Sequence, residues 1–218
     1  MITDDIITYN VRRKIPLPTV AELTPAISGG VPAKIPGWNG DHPIFRRVIE
    51  QVKPDVVVEG GCWHGHGSIH LASLFRGHLY CVDTWLGGFD HLYHWDKEDC
   101  HIPRKDGYPW LYFSWLHNIA SFPYAHRVHP MPMTSLTGAH VLSNNGIKAG
   151  VIVIDASHQY LDVFADLQHY GELLTAGGAM ICDDFRSHEG VFHAVLRYKH
   201  EHHFNLEEVG PFAVLTRK

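Results

Sequence analysis

Asp55-Val56-Val57-Val58-Glu59 runs straight into Gly60-Gly61-Cys62-Trp63-His64-Gly65-His66-Gly67. Three consecutive valines suit a strand buried on both faces, the situation of a strand inside a parallel sheet. Four glycines in the next eight residues predict a tight strand-to-helix turn whose backbone can approach a ligand closely. Ser68 to Arg76 then reads as a helix, with Ser68, Leu71, Ala72 and Phe75 on one face and Gly77 as its stop. His78 to Asp83 reads as a second strand. This β-turn-α-β unit sets the expectation for the rest of the chain.

The alternation continues in both directions. Upstream, Asp41 as N-cap and Pro43 in the first turn open a helix with Ile44, Phe45, Val48 and Ile49 as its apolar stripe, and Pro54 ends it. Downstream, the pattern predicts a helix over Pro109–Ser121, a strand over Arg127–Met133 and a helix over Leu136–Asn145 closed by Gly146. A strand over Gly150–Asp155 follows, then a helix from Tyr160 to Leu174 ahead of Gly177-Gly178. A strand over Ala179–Asp183 and a helix over Val191–Tyr198 come next. Phe204–Val209 and Phe212–Thr216 read as a hairpin turning at Gly210-Pro211. The expected fold is α/β: a doubly wound, mostly parallel seven-stranded sheet with a C-terminal antiparallel hairpin. Residues 1–40, rich in proline and without periodicity, are expected to form an arm or cap on a domain spanning 41–218. Residues 84–108, polar, aromatic and rich in histidine, are expected to be a lid-like insertion.

Composition narrows the class. The 218 residues are 45% hydrophobic and 19% charged, which suits one globular domain. The net charge of −5, with no basic cluster beyond Arg12-Arg13-Lys14, argues against a nucleic-acid footprint. Apolar runs are far too short to cross a bilayer, and the first ten residues lack the pattern of a secretory signal, so the expected location is the cytoplasm. The 19 histidines outnumber the 18 lysines and arginines, and about half would be charged at pH 6.5. Cys62, Cys81, Cys100 and Cys182 form no C-x-x-C pair; Cys81 and Cys182 lie in apolar runs and read as small buried hydrophobes. A small-molecule partner is expected, and self-association stays open.

Glu59, Asp83, Asp155 and Asp183 each close a strong strand. In open α/β sheets ligands bind beyond the carboxyl ends of the strands, so these four acids should converge on one site. The turn departs from G-x-G-x-x-G at every register, and Glu59 would face a pyrophosphate at close range. A cationic or zwitterionic ligand is favoured instead. S-adenosylmethionine carries a sulfonium, an ammonium and a ribose diol but no phosphate, and Asp83 is placed to accept both ribose hydroxyls.

The stretches Val56 to Leu71, Leu79 to Trp85 and Val151 to Val195 resemble class I S-adenosylmethionine-dependent methyltransferases. More narrowly, they resemble the group of macrocin and novobiocin-type O-methyltransferases and cephalosporin-pathway proteins. The resemblance covers about half the chain and leaves out the arm and the insertion. It implies a Rossmann-like methyltransferase fold whose donor site would include Glu59, Gly60, Gly61, Gly65, Ser68, Asp83, Thr84, Trp85, Thr134, Ser135 and Asp155, with Met133 near the adenine. In metal-dependent members an acid after the fourth strand and a pair after the fifth hold Mg²⁺; the matching residues here are Asp155, Asp183 and Asp184. Three oxygen ligands suit Mg²⁺, while Asp184 as a helix cap near Ser187 is the structural alternative. His158 stands three residues beyond Asp155, where catechol-type relatives carry a lysine base. It is a candidate general base by position only, with metal ligand or helix-cap neighbour as the other roles.

His64 and His66 flank the turn, and Trp38 could reach the pocket from the arm. His91, His94, His101, Asp96, Glu98, Asp99 and Cys100 fit no closed zinc spacing, and with Trp85, Tyr93 and Trp95 they read better as a lid. The function implied is O-methylation of a hydroxylated small molecule, a sugar or a secondary metabolite. The alternatives are a non-catalytic cofactor- or metal-binding interaction domain and, less favoured, a nicotinamide oxidoreductase, which the departure from G-x-G-x-x-G opposes.

Overall fold

The computed structural model describes residues 17–23, 35–88, 91, 102, 104–105 and 108–217. One sheet holds seven strands: β1 (Val56–Gly60), β2 (His78–Asp83), β3 (Val128–Pro132), β4 (Ala149–Ile154), β5 (Leu174–Cys182), β6 (Phe204–Val209) and β7 (Phe212–Arg217). Their order is β3-β2-β1-β4-β5-β7-β6. The first five run parallel, and β7 is antiparallel to both β5 and β6. The direction of winding reverses between β1 and β4, the switch point above which such sheets open a crevice.

Both faces of the sheet are covered, which explains the valine run. Val57 faces the layer of α1 (Pro43–Val52), α2 (His66–Leu74) and α3 (Leu111–Ala120), packing in one cluster with Ile44, Phe45, Leu71 and Trp115. Val58 faces the layer of α4 (Ser135–Asn144), α5 (Tyr160–Gly171) and α6 (Glu189–His202), with Leu142, Leu167, Tyr170 and Val195. The expected fold is therefore present, hairpin included. From the arm, Val20 is fully buried in the first of these layers, and the His129 Nδ1–H donates to the Leu17 carbonyl at 2.8 Å. Cys62, Cys81 and Cys182 are free and buried; Cys100 lies outside the described residues. Among the described residues no helix is long and apolar enough to cross a membrane.

Several boundaries differ from the sequence reading. The N-cap of α1 is His42, not Asp41: Pro43 takes the first helical position, and the His42 side chain accepts the Ile44 N–H at 3.2 Å. Helix α2 starts at His66 and ends at Leu74, with Phe75 already extended, so Gly77 is not its stop. Helix α3 starts at Leu111, because Pro109 pairs in a two-residue ladder with Arg104. Helix α5 ends at Gly171, and Gly177 and Gly178 lie inside β5, where Gly177 takes φ 74° opposite a register shift at Ala149/Val151. Helix α6 extends beyond its predicted apolar core at both ends, to Glu189 and His202.

Ile152, fully buried in β4 between both layers, should be costly to truncate: Ile152→Ala is expected to lower unfolding free energy by about 2–5 kcal/mol in urea titrations. Leu161, 74% exposed on α5, serves as control, with Leu161→Ala expected within about 0.5 kcal/mol of wild type. Equal losses at the two positions would contradict the layering.

Candidate active site

The turn after β1 is tied to both neighbouring strands. The Gly61 N–H donates to the Val82 carbonyl at 2.9 Å, and the Asp155 N–H donates to the Gly60 carbonyl at 2.8 Å. Gly61 has φ 85°, and a Cβ there would collide with the Asp155 carbonyl, so only glycine fits this crossing. The Asp83 carboxylate finishes the tie. Its Oδ2 accepts the Cys62 N–H at 2.8 Å and the Trp63 N–H at 3.1 Å, and its Oδ1 accepts the Trp85 N–H at 2.7 Å. Three of the four lone-pair positions are thereby filled. One acceptor position is left on Oδ1.

Above these strand ends lies a cavity of about 930 Å³. Of the residues singled out from sequence, Glu59, Gly61, Asp83, Thr84, Thr134, Ser135, Asp155, His158, Asp183 and Asp184 line it, together with Met133, His66, Trp38 and His91. Gly60, Gly65, Ser68 and Trp85 do not; they stand behind the wall. Ser68 is fully buried, donating to the Glu59 carboxylate and accepting the Trp115 indole N–H at 3.2 Å. The Trp85 indole N–H donates to the Trp63 carbonyl at 3.1 Å, which makes Trp85 a brace for the turn. His64 is also internal, with Nδ1 3.0 Å from the Ser114 hydroxyl. Tyr93, His94, Trp95, Asp96, Glu98, Asp99, Cys100 and His101 lie outside the described residues.

The cavity is strongly acidic. Seven carboxylates line it (Glu59, Asp83, Asp155, Asp162, Asp166, Asp183 and Asp184), with no lysine or arginine among the described lining residues. Burial pushes Glu59 up to about 7 and Asp166 up to about 7. Burial, opposed by the Asp184 N–H, lifts Asp183 to about 6. Asp155 is open to the cavity yet surrounded by protein, and burial followed by the charges of Asp183 and Asp184 raises it well above the carboxylate range. Asp184 moves the other way, lowered by its hydrogen bond to His158.

The structure also brings forward residues that sequence reading passed over. His188 stacks on His158 with ring centroids 3.9 Å apart, and the His158 Nε2 lies 3.1 Å from the Asp184 Oδ2. Ligand atoms of His158, Asp184 and His188 all lie within 4.8 Å of one another. Trp63, held at φ 47°, stacks on His91 at 4.3 Å, and Asn39 hydrogen-bonds Asp183 from the arm. The spacing Asp184-x-x-x-His188 was the one local signal for the histidine. Nothing in the sequence marked Trp63 for a left-handed backbone.

A family model described as a methyltransferase domain matches residues 58–185, more than half of the chain. The chain belongs to this methyltransferase family. Solved structures with the same fold include an O-methyltransferase from Bacillus cereus in complex with S-adenosylhomocysteine, at 16% identity and TM-score 0.60, covering 91% of this chain and 89% of that one. The O-methyltransferase NovP matches at 16% identity and TM-score 0.61, covering 80% and 78%. TomG from Streptomyces achromogenes, an O-methyltransferase involved in tomaymycin synthesis and solved with S-adenosylmethionine, matches at 14% identity and TM-score 0.59, covering 91% and 86%. No curated protein matches in sequence.

In this methyltransferase Glu59 offers a pH test. Its folded pKa of about 7 lies above the ordinary value of 4.5, so the folded state retains a proton that the unfolded chain gives up. Wild type should therefore lose stability relative to Glu59→Gln as pH rises from about 5 to 7, read from urea midpoints. Parallel curves would show that Glu59 ionises at its ordinary value.

Proposed function

We propose that this protein transfers the methyl group of S-adenosylmethionine to a hydroxyl oxygen of a small molecule, a sugar or a secondary metabolite, with a divalent cation at the Asp155–Asp183–Asp184 end of the pocket. The observation that carries the reading is the cavity lined by seven carboxylates without a lysine or arginine among its described residues. A sulfonium and an ammonium are stabilised there, whereas the pyrophosphate of a nicotinamide dinucleotide would be repelled. The volume of about 930 Å³ leaves room for a donor of this size beside an acceptor.

S-adenosylmethionine supplies an electrophilic methyl on sulfur, displaced in line by the acceptor oxygen. The rest is positioning by this chain. The turn at Glu59 and Gly61 receives the methionine end, Asp83 Oδ1 takes one ribose hydroxyl, and Thr84, Met133, Thr134 and Ser135 border the adenine. Asp155 stands under the reacting centre. Trp38 and Asn39 from the arm, with Gly87, Gly88 and His91 after β2, border the same cavity, which supports a role for these segments in choosing the acceptor. Asp155, Asp183 and Asp184 supply the hard oxygens that Mg²⁺ prefers, and a cation there would lower the pKa of the acceptor hydroxyl. His158 stands beside that group. Its Nε2 lies 3.1 Å from the Asp184 Oδ2, and an imidazole paired with a carboxylate in this way can take the hydroxyl proton. Buried thiols at Cys62, Cys81 and Cys182 support a reducing, cytoplasmic setting.

Calorimetric titration should show S-adenosylhomocysteine binding and no response to NAD. Asp83→Ala should weaken binding by about 10-fold or more, from the lost charge-assisted hydrogen bond and the loosened turn. Binding of NAD in place of S-adenosylhomocysteine would overturn the reading.

A further inference from the structure

A segment of the arm, Pro36 to Gly40, is fastened beside the cavity from two sides. Gly37 and Gly40 press on the start of α2: a Cβ at Gly37 would collide with the His66 side chain, and one at Gly40 with the backbone of Gly67. Asn39, at φ 51°, donates its side-chain amide to Asp183. Trp38 stands between these anchors and is still 47% exposed. Of the exposed tryptophans and phenylalanines among the described residues, it alone borders the cavity. Two further rings back it. Trp63 lies 6.1 Å from it between centroids, and His91 stacks on Trp63, its Nδ1 accepting the Gly88 N–H at 3.1 Å. An indole held in place yet open to solvent gains stability from any flat apolar group that covers it.

We infer that Trp38 is a stacking platform that selects, as acceptor, an uncharged or cationic planar aromatic ring bearing the hydroxyl, rather than a free or nucleotide-linked sugar. The inference rests on the proposed function and narrows its acceptor. Because Asn39 bonds Asp183, the Trp38 ring stands one residue from the end of the cavity that the proposed function gives to the acceptor hydroxyl. A flat ring can lie on the indole while its hydroxyl reaches that end, and stacking favours planarity. A sugar needs polar partners all round its ring, but at this wall the Asn39 side chain and the His91 Nδ1 are already bonded. A phosphate or carboxylate on the acceptor would enter among seven carboxylates, with no lysine or arginine among the described lining residues to pair with it. An ammonium group meets no such penalty.

The test titrates the full-length protein by calorimetry, with S-adenosylhomocysteine and again without it. The probes para-cresol, tyramine and para-hydroxyphenylacetate share one phenol ring and differ in charge. Para-cresol and tyramine should each bind at least about 10-fold more tightly than para-hydroxyphenylacetate, whose carboxylate finds no cation. Methylcyclohexanol, of like size but not flat, and uridine diphosphate glucose should each bind at least about 5-fold more weakly than para-cresol. Trp38→Ala should weaken para-cresol by at least about 5-fold and Trp38→Phe by less than about 2-fold, with S-adenosylhomocysteine affinity within about 3-fold of wild type in both. Tighter binding of uridine diphosphate glucose than of para-cresol would overturn the inference. So would equal affinity for the three phenols, failure of all three to bind, or wild-type affinity for para-cresol in Trp38→Ala. Failure of S-adenosylhomocysteine to bind, with phenol binding and its dependence on Trp38 intact, would sink the proposed function alone.

Discussion

The site depends on one carboxylate holding three backbone amides. By accepting the N–H groups of Cys62, Trp63 and Trp85, Asp83 fixes the turn after β1 against the end of β2. The Gly61 and Asp155 backbone bonds then lock the same turn to β4. Glu59, Asp83 and Asp155 therefore stand at fixed separations across three adjacent strands. Hydrogen bonds to an ionised acceptor are about twice as strong as neutral ones, which suits Asp83 to this duty. Asp83 also lines the cavity, so the residue that ties the turn stands at the proposed donor site.

Convergence of acids is electrostatically unfavourable without a cation. Burial is the first cause of the upward shifts of Glu59, Asp155, Asp166 and Asp183, and at Asp155 the charges of Asp183 and Asp184 add to it. A positively charged ligand relieves the strain, because opposite charge favours the ionised carboxylate. Asp184 moves the other way, lowered first by its hydrogen bond to His158.

The periodicity of the chain made most of this legible. The valine run at 56–58, the glycines that follow and the acids at strand ends are local signals, and with the apolar spacing they made the seven strands of the main sheet and its six covering helices readable. What local pattern cannot carry is tertiary. Gly177-Gly178 reads as a helix stop, yet it sits inside β5 because the strand bulges beside β4. The family resemblance places Gly60, Gly65, Ser68 and Trp85 in the donor site, but none of them lines the cavity. The partnership of His158 with His188 joins two loops 30 residues apart and became visible only once β4 and β5 lay side by side.

The central claim is that the acidic cavity at the switch point is the seat of the methyl donor. A crystal structure of the protein grown with S-adenosylmethionine tests it most directly. The account predicts a ribose hydroxyl on Asp83 Oδ1, the adenine beside Thr134 and Ser135, and the sulfonium over Asp155 facing His158. A donor bound elsewhere, or one lying in this cavity with its ribose away from Asp83, would contradict it.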